Sequence, residues 1–356
     1  MNLEKIIDAF DLSGKVVSYR EFGSGHINRT MKVVTDTHQE YVLQHINKHV
    51  FKDPRKLMEN VCAVTEFVRS RSDDPRAALH FIPTHQGDFY HLDENGEYWR
   101  MYDFVGGFSL DLPESDEDFY QSALAFGRFQ ELLSDFPAHT LHETIPNFHN
   151  TPDRFRQFKE AVKRDAAGRR ASVQADIDAV LELESLACSL QQMLEAGELP
   201  LRVTHNDTKL NNVLLDKLTR KSLCVLDLDT VMPGLSAHDF GDSIRFGAAT
   251  AAEDEPDTSK MKLDLHLFEV YTRGFLEAAP SLTDREIRML PTGAVTMTLE
   301  LVVRFLGDYL DGDVYFKTAY PEHNLVRARA QFALAKDMLA KQKDMDAIVA
   351  RVAANR

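Results

Sequence analysis

Three cysteines in 356 residues are too few, and odd in number, for a disulfide framework. Cys62, Cys188 and Cys224 stand far apart, which fits a reducing compartment. No Cys/His cluster has zinc spacing, so a structural zinc site is excluded. Positive charge is scarce too: 41 Lys and Arg against 56 Asp and Glu leave a net charge of −15. A nucleic-acid binder would show a basic patch instead. The N-terminus, Met-Asn-Leu-Glu-Lys-Ile-Ile-Asp, has no basic leader and carries acids inside its apolar pattern, unlike a signal peptide. The most apolar window, residues 290–306, contains Glu300 and Arg304 and reads as falling short of a membrane span. Together these absences predict a cytoplasmic protein that engages neither membrane nor nucleic acid. There is no internal repeat and no low-complexity tail.

What is present is apolar material for a large core: 44% of residues are hydrophobic and 27% charged. The length suggests two domains or one bilobal unit. Leu3, Ile6, Ile7 and Phe10 have helical spacing. Strands are expected over 16–22, 30–35 and 40–46, and a hairpin over 89–104 turned at Glu94-Asn95-Gly96. Asp53-Pro54 opens a helix with Leu57, Met58, Val61, Val64 and Val68 on one stripe. Val105-Gly106-Gly107 is the candidate hinge, dividing a β-rich part (1–104) from a mainly helical part (105–356). Helices are expected over 175–196, 262–278, 284–290, 294–311 and 325–355. The fold class is α+β.

Chemistry concentrates in Val-Thr-His205-Asn-Asp207-Thr-Lys209-Leu-Asn211-Asn212, followed by two short apolar strands at 213–216 and 223–226 and then Asp227-Leu-Asp229. Pairing of those strands puts Asn212 roughly opposite Asp227, an amide oxygen and a carboxylate on one cation, with Asp207 just upstream. One carboxylate for an acceptor hydroxyl, plus an Asn and a second carboxylate for metal, is the construction of a phosphoryl-transfer site. Asp207 precedes Asn212 by five residues and Asp227 by twenty, the spacing logic of protein kinases. His205 reads as a brace for the loop. Lys209 would neutralise the transferring phosphoryl group. Asp239 and Asp242 read as braces of the catalytic segment, with Arg245 as a partner. Asp229 is open between the metal and a turn cap. The turn Gly23-Ser-Gly25-His26-Ile-Asn28 suits close approach of backbone amides to phosphate, and also suits a plain hairpin.

The segment 204–229 resembles the aminoglycoside phosphotransferase-like branch of small-molecule kinases. Further runs are similar to the N-acetylhexosamine 1-kinases within it: Gly25-His-Ile-Asn28, Asp227-Leu-Asp-Thr-Val-Met-Pro-Gly234, Asp239-Phe-Gly-Asp-Ser-Ile-Arg-Phe-Gly247, Arg304-Phe-Leu-Gly-Asp-Tyr-Leu-Asp-Gly-Asp-Val-Tyr-Phe316 and Tyr320-Pro-Glu-His-Asn-Leu-Val-Arg327. The resemblance implies a two-lobed protein-kinase-like fold and transfer of phosphate from ATP to the 1-hydroxyl of N-acetylglucosamine or N-acetylgalactosamine. Asp207 would be the base, with Asn212 and Asp227 on Mg²⁺. Gly23, Gly25 and the hinge Tyr102-Asp103-Phe104-Val105 would hold the nucleotide. His26, Asp207, Phe246, Arg304 and Tyr315 would hold the sugar. ATP and the sugar are then the partners, and a monomer is the plausible unit. One departure stands out: Gln44 occupies the third-strand position where many kinases carry a lysine paired with a helix glutamate, here Glu59. Lys48, Lys52 or Lys209 would substitute, or Mg²⁺ and backbone amides would suffice. The rival readings are a kinase of another alcohol (aminoglycoside, homoserine, choline or unmodified hexose) and a non-catalytic pseudokinase.

Overall fold

Alternating apolar residues build the N-terminal sheet. In the computed structural model, which describes residues 2–22, 28–48 and 50–356, five antiparallel strands lie in the order β1-β2-β3-β5-β4. They are β1 (Val16–Glu21), β2 (Thr30–Thr35), β3 (Glu40–Ile46), β4 (His91–Leu92) and β5 (Tyr98–Asp103). Met31, Val33, Tyr41, Leu43, Trp99 and Met101 share one face and bury against Ile6 and Ile7 of helix α1 (Leu3–Ile7). The two-residue period puts the neighbours of these residues on the other face. There Gln44 pairs in register with Arg100, on the side of helix α2 (Pro54–Arg69). The Asp53 side chain caps α2 by accepting from the Lys56 amide, and the predicted stripe is buried.

The C-terminal part is helical: α3 (Asp116–Leu132), α4 (Thr151–Arg164), α5 (Gln174–Leu181), α6 (Glu184–Ala187), α7 (Ser189–Glu195), α8 (Ser236–Gly247), α9 (Leu265–Ala278), α10 (Asp284–Asp311), α11 (His323–Ala340) and α12 (Gln342–Ala353). Three expectations need correction. The single helix over 175–196 is the three pieces α5–α7. The bends let Leu190 join Leu199 and Leu235, in a cluster separate from the one that takes Ile177, Val180 and Ala187. The helix over 325–355 is two, α11 and α12, divided at Lys341, whose ammonium bonds the Leu263 carbonyl and Asp337. Conversely, α10 runs unbroken through Pro291. A proline inside a helix costs about 3 kcal/mol. Burial of Ile287, Leu290, Ala294 and Val295 around it offsets that cost.

By length and composition α10 is apolar enough to cross a membrane, against the expected shortfall. Its apolar window is 83% buried inside the protein, so the apolarity serves the core. Helices α8 and α10 cross at Gly241 and Gly293. A Cβ on Gly241 would overlap the Gly293 carbonyl, and one on Gly293 would overlap that of Ala237. This close crossing sets α8 under the catalytic loop and runs α10 behind it.

Candidate active site

The loop 205–212 leaves β6 (Arg202–Thr204), which pairs with β9 (Met232–Gly234), and enters β7 (Val213–Leu215), which pairs with β8 (Ser222–Val225). Helix α8 holds it from below. The Asp239 carboxylate accepts from the His205 amide (2.9 Å), the Asn206 amide (2.8 Å) and Gln130 Nε2 (2.8 Å). Asp242 accepts from the Thr208 amide (3.0 Å) and is paired to Arg245 (3.0 Å). The His205 ring donates from Nε2 to the Leu226 carbonyl (2.7 Å) and accepts at Nδ1 from the Asp207 amide (3.3 Å). It therefore ties the loop to the hairpin and carries no proton to a ligand.

Asn212 Nδ2 donates to the Asp207 carbonyl (2.8 Å) and to Asp207 Oδ2 (3.1 Å), which leaves Asn212 Oδ1 for a cation. The hairpin register differs by one residue from expectation. Val213 pairs with Val225, and the Leu226 amide donates to the Asn212 carbonyl (2.7 Å), so Leu226 stands opposite Asn212. A one-residue offset ordinarily turns a side chain to the other face. Asp227 leaves the strand in a left-handed conformation (φ 54°, ψ 58°), and its carboxyl feels the charges of Asp207 and Asp229.

The electrostatics separate the two carboxylates. Burial pushes Asp227 up to about 6, reinforced by Asp229 and Asp207. That is an uncompensated negative site, and a hard cation with oxygen ligands fits it. Among the described residues no group of three His, Cys, Asp or Glu forms a metal cage. An Asn–Asp pair suits Mg²⁺, which takes few protein ligands and completes its shell with water and phosphate. For Asp207, burial acts upward, but Lys209 outweighs it and the carboxylate is held below its ordinary range. Lys209 Nζ lies 3.0 Å from Asp207 Oδ1. Burial would lower the Lys209 pKa, but Asp207 and Asp242 raise it.

Gly23, Gly25 and His26 lie outside the described residues. Tyr102 and Asp103 end β5, and the Phe104 amide bonds the Glu40 carbonyl. Lys48 is engaged by Glu97 (2.7 Å), and Glu59 bonds His142 (2.6 Å) on the surface. Asp229 is 2% exposed and ion-paired to Arg100, a residue not anticipated from the sequence. The available signal was a charged residue between Trp99 and Met101 in an otherwise apolar strand.

Arg304 and Tyr315 come together. The Arg304 guanidinium lies over the rings of Phe316 (5.5 Å), Phe148 (5.6 Å) and Tyr315 (6.0 Å). Arg304 and Tyr315 line a pocket of about 230 Å³ with Arg154, Asp308 and Phe316. Asp308 is spent on the amides of Val314, Tyr315 and Phe316 and on Asn324. The link to the catalytic loop also went unforeseen. His149, next to Phe148, meets the Asn206 carbonyl (3.2 Å) through Nε2 and Glu300 (2.8 Å) through Nδ1. Glu300 sits one turn before Arg304 on α10. Phe246 ends α8, half-buried, and has no ring contact with Arg304 or Tyr315 among the described residues. A larger hollow of about 570 Å³ between α1 and β1 touches none of these residues.

Known proteins share the fold over nearly the whole chain. An aminopropanol kinase associated with a microcompartment superposes with a TM-score of 0.63 at 18% identity, covering 97% of this chain and 98% of that one. An aminoglycoside phosphotransferase from Alicyclobacillus acidocaldarius gives 0.65 at 13% identity, over 98% and 96%. An amicoumacin kinase in complex with AMP-PNP, Ca²⁺ and Ami gives 0.59 at 10%, over 94% and 92%. At these identities the likeness shows the two-lobed kinase-like fold. The sequence profile of the phosphotransferase enzyme family (APH) matches residues 18–272, which takes in the sheet, the catalytic loop and the 227–229 segment and stops short of Arg304. With well over half of its length inside that profile, the chain belongs to the APH phosphotransferase enzyme family.

Proposed function

We propose that this phosphotransferase is an ATP-dependent kinase of N-acetylhexosamines, acting on the anomeric hydroxyl to give the sugar 1-phosphate. The observation that carries the acceptor class is Arg304: it is ringed by three aromatic side chains and has no hydrogen bond or ion pair among the described residues. Glu300 is spent on His149 and Thr151, Asp308 on backbone amides and Asn324, and Asp311 on Arg164. An amine-bearing acceptor would meet a cation that no carboxylate bonds directly among the described residues. A neutral sugar offers hydroxyl and acyl oxygens to the guanidinium and ring carbons to the aromatic faces.

In the transfer, the acceptor oxygen bonds to the γ-phosphorus, the bond to the β-phosphate oxygen breaks, and ADP leaves. The acceptor proton passes to Asp207, which also orients the hydroxyl. A lowered pKa suits that task, because a loose transition state draws little on base strength. Asn212 and Asp227 would hold Mg²⁺, which supplies charge neutralisation on the phosphates. Lys209, already on Asp207, steadies the carboxylate and adds positive charge beside the transferred group.

The test is ADP release with Mg·ATP and a panel of N-acetylglucosamine, N-acetylgalactosamine, glucose, galactose, homoserine and kanamycin, with NMR of the product. Turnover confined to the N-acetyl sugars, phosphorylated at position 1, is expected. Phosphate on kanamycin or homoserine and on no sugar overturns the reading.

A further inference from the structure

A lysine on the third strand, held by a helix glutamate, is the usual cation of this kind of cleft. Here that strand position is Gln44, and Glu59 is turned to the surface with His142. The cation stands one strand over, since Arg100 on β5 is the register partner of Gln44. Arg100 Nε and Nη2 both donate to Gln44 Oε1, at 2.9 and 2.6 Å, and Nη1 donates to Asp229 Oδ1. The second Asp229 oxygen accepts from Asn28 Nδ2 at 2.8 Å, and Asn28 Oδ1 accepts from the Asn47 amide at 3.0 Å. The Arg100 and Asp229 side chains are 4% and 2% exposed. The network thus joins the N-terminal sheet to the residue two after Asp227, across 129 residues of chain. A buried ion pair adds little stability over apolar residues of the same size, so its value lies in geometry.

We propose that Arg100 is a positioning residue for the metal-binding segment. Oriented by Gln44, it holds Asp229, and with it residues 227–229, against the sheet. Asp229 is committed to this arginine and is not a cation ligand. The inference rests on the phosphotransferase reading of the cleft and is independent of which alcohol is the acceptor.

The test is calorimetric binding of Mg·ADP to the full-length protein without acceptor, beside ADP alone in EDTA, with thermal unfolding as the control for folding. Arg100→Met should weaken Mg·ADP binding by roughly tenfold or more, because it strands a buried carboxylate, and should affect metal-free ADP far less. Gln44→Lys combined with Arg100→Met returns a cation to the third strand and should regain most of the lost affinity. A purely packing role for Arg100 predicts no such rescue. Should Arg100→Met fail to fold, Arg100→Lys keeps the charge but lacks the planar fork that spans Gln44 and Asp229, and a several-fold loss is expected. Wild-type affinity in Arg100→Met or Arg100→Lys overturns the proposal, as does a double variant no better than Arg100→Met. A wild-type protein that binds no nucleotide overturns the phosphotransferase reading and this inference with it.

Discussion

On the catalytic-loop side of the cleft, the backbone and side chains are bonded within the protein. Asp239 takes three N–H groups, Asp242 takes the Thr208 amide and Arg245, and Asn212 ties back to Asp207. On the proposed acceptor side, Arg304 has no hydrogen-bond partner among the described residues and Tyr315 is 68% exposed. The first region is built so that nothing has to move when phosphate is transferred. The second keeps polar groups available, as the proposed acceptor role requires. Preorganised charge and geometry carry the chemistry, while unspent donors carry recognition.

The contrast can be broken at either end. The largest effect should come from Asp207→Asn, which removes the proton acceptor but not the loop geometry. A fall in kcat of about 10²–10⁴-fold is expected, with nucleotide affinity kept, by steady-state rates and calorimetry. Asp239→Ala should act on folding, because it leaves the His205 and Asn206 amides buried and unpaired. A loss on the order of 3 kcal/mol in urea unfolding is expected. Arg304→Met should cost folding less than Asp239→Ala, since no hydrogen bond or ion pair among the described residues ends on that guanidinium and only its longer-range support of Glu300 is lost. Acceptor KM should rise by roughly tenfold or more, the worth of a charged hydrogen bond, while ATP KM stays put. An unchanged acceptor KM would remove Arg304 from the acceptor site.

The smallest effect concerns the bridge between the two regions. Both ring nitrogens of His149 face acceptors, the Glu300 carboxylate and the Asn206 carbonyl, so the protonated ring satisfies both. Burial acts to lower the His149 pKa, but Glu300 outweighs it and raises it above 6.5. Burial would raise Glu300, but His149 and Arg304 bring it down to about 2. The neighbouring His238 is pushed down to about 4, first by burial and then by His149, and stays neutral in the same range. The His149 contribution is therefore complete below about pH 6.5 and lost as pH rises through its raised pKa. The Glu300 contribution is complete above about pH 4.5 and lost as pH falls towards 2. Wild-type stability should fall on the alkaline side of this window, and His149→Gln should flatten that fall in unfolding curves taken at several pH values.

Much of the engine is legible in the sequence because it is local. Asp207, Asn212 and Asp227 lie within one turn and one hairpin, where spacing and strand period fix proximity. Even there the register shifted by one, and residue 227 left the strand in a left-handed conformation that no periodicity reports. The cap at Asp53 and the stripe of α2 were likewise written in short-range signals. The continuity of α10 through Pro291 was not, because the burial that holds it comes from remote helices.

What the sequence by itself determined is the framework: an acidic α+β chain of the phosphotransferase family, with Asp207, Asn212 and Asp227 on one loop and one hairpin. The tertiary structure alone decided how those groups are held and what stands around them. Arg100 meets Asp229 across 129 residues, and His149 meets Glu300 across 151. Such pairs depend on the register of β3 with β5 and on the glycine-tight crossing of α8 with α10. The reason is physical: one-dimensional patterns encode which face a residue takes, and only the packing of those faces encodes which distant charge it will find there.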